Sequence, residues 1–246
     1  MRDVETTGTL VGSAEALARS AVYRLLSRGF TYPTVEGVAE LCDEDLPLAV
    51  AVADPLPEEV RLALSAVGEE LDGAEASKLE EAYREVFSHV HSADCPVYET
   101  DYTARDVWRQ TRELADIAGF YRAFGMDPRA ERPDHVAVEL EFLHLVSYKV
   151  AWAAANDDEE HASICADAEQ RFAADHTSNW IPGFAARVTA ISPRGFYRRL
   201  GELALALMRA EASRLGIAIN ETAAPVPPRS EEELAAEDIA LCEEGP

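Results

Sequence analysis

The chain has 246 residues, 48% of them hydrophobic, enough for one large domain or two small ones to bury a core without metal or disulfide staples. Acidic residues outnumber basic ones 46 to 22, for a formal charge of −24, and a chain of that sign repels nucleic-acid phosphates and anionic lipid headgroups. Nucleic-acid binding and membrane-surface binding are set aside on that ground. The basic residues are almost all Arg, with Lys78 and Lys149 as the two lysines, and an acidic, Lys-poor surface suits a salt-rich cytoplasm. The opening MRDVETTGTL lacks the basic start and continuous apolar stretch of a secretory signal. The most apolar segments, such as LPLAVAVADPLP, are broken within about a dozen residues, whereas a membrane span needs roughly 20. Cys42, Cys95, Cys165 and Cys242 lie far apart with no CxxC pair, which fits reduced thiols in a cytoplasm better than a zinc knuckle or a disulfide scaffold.

Apolar residues recur at steps of three and four almost throughout, which predicts an all-α chain. The first helix is expected after Ser13 as N-cap, with Ala14, Leu17, Ala18, Ala21, Val22, Leu25 and Leu26 inward and Gly29 as its stop. Short helices follow at 35–42, from Pro57, and at 74–88. Residues 89–103 lose periodicity and read as an ordered loop. A helix from Ala104 carries Val107, Leu114, Ile117, Ala118, Tyr121 and Phe124 on one face and stops at Gly125. After a second loop, 127–133, Asp134 is placed to cap a long helix with Val136, Leu140, Leu143, Val150 and Ala154 aligned. Further helices fit 159–174, 180–191 with Pro182 in the first turn, and 193–215. The division expected is a flexible start (1–12), one helical domain (13–219) and a Pro-rich, acidic, mobile tail (220–246), in which Leu234, Ile239 and Leu241 make a short amphipathic pattern.

Candidate chemistry is sparse. Glu141 and His144 form E-x-x-H, the spacing that presents a carboxylate and an imidazole to a di-iron centre, but the second copy that such a bundle needs is missing. The pairs Glu85/His89 and His135/Glu139 have helical spacing, for which a solvated polar pair is the commoner reading. His89, His91 and Cys95 would offer a metal three ligands on one loop, with no fourth in view. No nucleophile elbow, phosphate loop or dinucleotide fingerprint occurs, and Cys95 with His135 would make a nucleophilic pair only if the fold joins their loops. No cofactor is called for. What stands out is two polar loops, DCPVYETDY (Asp94 to Tyr102) and ERPDH (Glu131 to His135). Glu99, Glu131, Asp134 and His135 supply acceptors and a titratable ring suited to a cationic or hydrogen-bonding peptide. Tyr83, Phe87, Tyr98 and Trp108 would supply an apolar wall, although Tyr83 and Phe87 at i, i+4 fit plain core at least as well.

At these loops the chain resembles the TorD/DmsD family of redox-enzyme maturation chaperones. The resemblance rests on LEEAYREVF with Tyr83 and Phe87, on CPVYET (Cys95 to Thr100), on AGFYRAFG (Ala118 to Gly125) and on ERPDH followed by Glu139-Leu140-Glu141-Phe142-Leu143. Val97 stands where the family usually has a second Pro. Within the family the chain looks most like chaperones of type II enzymes of the DMSO reductase superfamily. The resemblance implies a single-domain helical bundle, cytoplasmic and without catalytic turnover. Such a protein binds the apo catalytic subunit of a molybdenum oxidoreductase, with its twin-arginine signal peptide, until cofactor insertion licenses export. It puts peptide binding at Glu131, Pro133, Asp134 and His135, with Cys95, Pro96, Tyr98 and Glu99 as the neighbouring wall. The rival from another class is a metal-dependent helical oxidoreductase using Glu141, His144 and His135. Oligomeric state is left open.

Overall fold

The protein is seen in a computed structural model that describes residues 2–87, 94–128 and 131–227, with side chains from Gly12 onward. The helices are α1 (Arg2–Phe30), α2 (Val35–Glu40), α3 (Leu46–Ala51), α4 (Glu58–Leu71), α5 (Ala76–Phe87), α6 (Thr100–Thr103), α7 (Val107–Ala123), α8 (Val136–Ala155), α9 (Glu159–Phe172), α10 (Ser178–Ile191) and α11 (Phe196–Leu215). No strand occurs among the described residues, so the chain is the all-α bundle that its periodicity predicts. Two helix pairs run on through single π-helical turns: α2 into α3 at Leu41–Asp45, and α9 into α10 at Ala173–Thr177. Such turns insert a residue into the ladder and often mark functional positions.

The axis of the bundle is α8, which lies along α1 and against α9, while α11 packs on α10 and α4. From Val136 to Leu143 every residue of α8 except Glu141 is buried, as a helix enclosed on all sides requires. Two aromatic groups fill the core. Phe30, Tyr83, Phe87, Phe184 and Tyr197 interlock on one side, and Phe120, Tyr121, Phe142 and Phe172 on the other, with Phe142 and Phe172 centroids 4.6 Å apart. Each such ring stabilises the fold by roughly 1.5–3 kcal/mol through burial.

Several boundaries differ from the sequence expectation, each for a local reason. Helix α1 begins at Arg2, so Ser13 is not its cap; the hydroxyl donates instead to the Ala151 carbonyl of α8, 2.9 Å away. Gly29 does not stop α1. It lets α11 approach, since a Cβ there would meet Leu200 at 2.8 Å. Gly125 does act as a stop, at φ +77°. Asp134 is not the cap of α8: His135 is, with Nδ1 accepting from the Ala137 N–H at 3.1 Å. The loop expected at 89–103 contains α6, and its residues 89–93, with His89 and His91, lie outside the described residues. So do Leu234, Ile239, Leu241 and Cys242. The tail expected to leave the bundle at 220 stays on it through 227, where Asn220 and Val226 donate to carbonyls of α10 and α6.

Candidate functional site

The two polar loops meet. Tyr98 and His135 form an isolated antiparallel β-bridge, flanked by the Val136 N–H donating to the Val97 carbonyl at 2.8 Å and the Glu99 N–H donating to the Asp134 carbonyl at 2.9 Å. This short ladder fixes the register of CPVYET against ERPDH. Tyr121 of α7 steadies the second loop by donating its hydroxyl to the Pro133 carbonyl at 2.7 Å.

Residues of the ladder then divide by side. Outward, the exposed Glu131 accepts from the Tyr98 hydroxyl at 3.2 Å, and the Arg132 guanidinium lies 4.3 Å from the Tyr98 ring centroid, a cation–π stack. Pro133 and Tyr98 are half-buried. Inward, Asp134 is fully buried and saturated: Oδ2 accepts from the Thr100 hydroxyl at 2.8 Å, the Thr100 N–H at 3.3 Å and Arg132 at 2.8 Å, and Oδ1 accepts from Arg132 at 3.1 Å. Asp134 therefore locks one loop to the other. Burial pushes the His135 pKa down, against the pull of Glu131 and Asp134, which favours the neutral ring that its capping bond needs.

Behind the ladder sits a second buried group. Glu99 points into the core and meets Nδ1 of His176, in the π-turn between α9 and α10, at 3.1 Å through both oxygens. Nε2 of His176 faces Asp116 of α7 at 3.3 Å. Glu139 of α8 accepts from the Trp180 indole at 2.9 Å. Burial, then the charge and hydrogen bond of Glu99, raise the Glu139 pKa well above the carboxylate range, which favours its acid form. For His176 burial works downward, but Glu99, Asp116 and Asp175 outweigh it and raise the pKa. Of this group Glu99, Asp116 and His176 line a polar cleft of 910 Å³, together with, among others, Tyr102, Arg112 and Asn220.

The other expected site residues scatter. Cys95 is buried, and burial pushes its thiol up to about 12, so it is a poor thiolate at neutral pH. Pro96 is buried, its carbonyl accepting from the Tyr102 hydroxyl at 3.0 Å. Tyr83 and Phe87 lie in the aromatic core, while Trp108, in the first turn of α7, is 88% exposed and forms no wall with them. Of the proposed metal ligands, Glu141 is exposed and His144 Nδ1 lies 2.8 Å from the Ser20 hydroxyl. Among the described residues no group of three His, Cys, Asp or Glu side chains is placed to hold a metal. Sequence reasoning missed Arg132 and Thr100, although both lie inside the quoted motifs. It also missed His176 and Trp180, whose signal was a polar pair beside the Pro182-Gly183 interruption.

The sequence profile of the family described as nitrate reductase delta subunit matches residues 53–186, more than half of the chain and all of the ladder. The perchlorate reductase assembly chaperone protein of Dechloromonas aromatica (strain RCB) is 29% identical over 205 residues, covering 77% of this chain and 86% of that protein. The chaperone protein TorD of Vibrio cholerae serotype O1 (strain M66-2) is 35% identical over 117 residues, 46% of this chain and 49% of that protein. The chain belongs to the TorD/DmsD family of redox-enzyme maturation chaperones. No helix among the described residues is long and apolar enough to cross a membrane.

Proposed function

We propose that this protein is a cytoplasmic assembly chaperone. It holds the apo catalytic subunit of a molybdenum oxidoreductase, and that subunit's twin-arginine signal peptide, until the cofactor is inserted and export can begin; it works by binding, without turnover. The relatives named above as chaperones support the role. The observation that carries the site is the outward face of the ladder: the exposed Glu131 carboxylate beside the Tyr98 ring and Pro133, all held by the buried Asp134 lock. A cationic peptide start followed by an apolar stretch needs that pairing of carboxylate with aromatic surface. Asp134 and His135 then serve binding from inside, by fixing the face rather than touching the client, and Glu99, Cys95 and Pro96 do the same from the other loop.

Affinity capture on the full chain from its native cytoplasm, at that cytoplasm's salt concentration, tests the reading. The expected co-purifying protein is a molybdoenzyme catalytic subunit with its signal uncleaved. Recovery of no such subunit, together with a stoichiometric metal in the bait that His144→Ala removes, would instead favour the oxidoreductase reading. A client bound equally well after deletion of its signal would restrict the role to the mature subunit. In a folded Asp134→Ala variant the face loses its lock, and affinity for the client is expected to fall at least tenfold; unchanged affinity would remove the ladder from the site.

A further inference from the structure

Beyond α11 the chain turns at Gly216, φ +68°, and returns across α10 as a strap, residues 217–227, with a turn at Asn220–Ala223. Two neighbouring residues of α10 make its seat. Pro182 has no N–H, so the Ser178 carbonyl one turn earlier loses its helical partner; the Asn220 N–H of the strap donates to it at 2.9 Å. Gly183 has no Cβ, and one placed there would stand 2.4 Å from the Ala223 carbonyl oxygen, a contact that no side chain can occupy. Pro supplies the acceptor and Gly supplies the space. The bidentate pair of Arg209 with Glu221, 2.8 Å on both arms, anchors the approach.

From that seat the strap reaches the functional loop. The Val226 N–H donates to the Asp101 carbonyl at 2.7 Å. Asp101 lies between Thr100, whose hydroxyl and N–H bind Asp134, and Tyr102, whose ring packs at 5.3 Å on Trp180 one turn before Gly183. Helix α6 is four residues long, too short to hold itself. It is gripped by Asp134 on one side and by the strap on the other.

We infer that the segment 217–227 is a positioning clamp, seated on Pro182-Gly183, that holds the Tyr98–Thr103 loop in its client-binding conformation through Val226 and Asp101. The inference rests on the proposed binding role of the ladder, but the clamp itself can be tested without a client. Val226→Pro is the sharp variant, because Val226 stands between Pro225 and Pro227, a context already extended, and the substitution deletes the one N–H and sets a ring carbon against the Asp101 carbonyl, so that the link to the loop is lost. Gly183→Ala evicts Ala223 and should act more strongly. Gly119→Ala, at a helical glycine of α7 with open space around it, is the control.

Hydrogen exchange on the full chain is expected to show the Thr100–Ala104 amides exchanging about tenfold faster in Val226→Pro, and more in Gly183→Ala, with α1 and α8 amides unchanged. A synthetic peptide bearing an Arg-Arg pair followed by twelve apolar residues is expected to leave both variants several-fold faster than the unaltered chain or Gly119→Ala. Loop exchange in Val226→Pro equal to that of the unaltered chain would overturn the clamp. So would a gain of peptide affinity, which would make the strap a competitor for the site. If the unaltered chain does not bind the peptide, the signal-peptide reading fails, while the exchange result still decides the clamp.

Discussion

Two buried polar networks of this bundle differ in how their charges balance. At one, Arg19 of α1 and Arg214 of α11 face Glu169 of α9 and Glu211 of α11, with Arg19 at 3.4 Å from both carboxylates, Arg214 at 2.8 Å from Glu169, and Ser147 of α8 donating to Glu169 at 2.5 Å. Two cations meet two anions and four helices are tied together. Beneath the ladder, three buried carboxylates (Glu99, Asp134, Glu139) meet Arg132 and His176, with the exposed Asp116 on the far side of His176. Burial and the neighbouring Glu99 together favour a proton on Glu139. Burial lifts Glu211 too, but Arg214 and Arg19 oppose it, whereas the nearest charge to Glu139 pushes the same way as burial. A balanced network acts as a strut; an unbalanced one depends on a proton, and here it lies directly behind the face proposed to bind the client.

Arg19→Ala breaks the strut. It leaves two buried carboxylates sharing Arg214, and such losses cost about 3 kcal/mol or more. Denaturant unfolding should show that loss, while the peptide affinity of the folded fraction stays within twofold. A large affinity change would mean that the two networks are not separate in function. His176→Ala, the matching cut beneath the ladder, removes the charged partner of Glu99 and is expected to cost about 2–3 kcal/mol. Here peptide affinity should fall as well, by about tenfold, since Glu99 follows Tyr98 directly.

Glu139→Gln sharpens the contrast in pH. The acid form of Glu139 and the charged form of His176 are both favoured by folding. Their contribution is therefore full below about pH 4.5 and 6.5 respectively, the ordinary unfolded values, and is lost as pH rises through their folded values. Glu139 alone adds a slope of about 1.4 kcal/mol per pH unit across its window. His135 and His144, whose pKa values burial lowers, work the other way below about 6.5. Gln keeps a donor for Glu99 and an acceptor for Trp180, so the variant should lose the alkaline decline and be more stable than the unaltered chain at pH 9. An unchanged decline would assign it to other groups.

How much of this was legible in the sequence follows from the range of each interaction. The helices were, because periodicity is local: α8 and the Gly125 stop were written in neighbouring residues. The pairing of CPVYET with ERPDH was not visible in spacing: both loops stood out as polar segments, and whether the fold joins them was left open. Asp134 read as a helix cap because an Asp before an apolar run usually is one, yet Thr100 and Arg132 claim its oxygens and His135 takes over the capping. His176 was invisible because its partners are Glu99, 77 residues away in sequence, and Asp116. The strap read as free tail because Pro-rich, acidic composition describes solubility, and says nothing of a seat prepared by Pro182 and Gly183 on another helix.

The smallest effect belongs to the outer face. Glu131 is exposed, accepts from Tyr98 and from the Arg132 N–H at 2.9 Å, and supports neither network, so Glu131→Gln should leave unfolding unchanged. Its carboxylate would meet a client's cationic start in water, where a single ion pair is weak and screened over about 8–10 Å at ordinary salt. The expected loss of affinity for the Arg-Arg peptide is therefore about two- to fivefold at low salt, carried mainly by slower association, and it should vanish in molar salt. Equal loss at all salt concentrations would mean that Glu131 does not act through attraction of its charge to the peptide, since Gln keeps an acceptor for the Tyr98 hydroxyl.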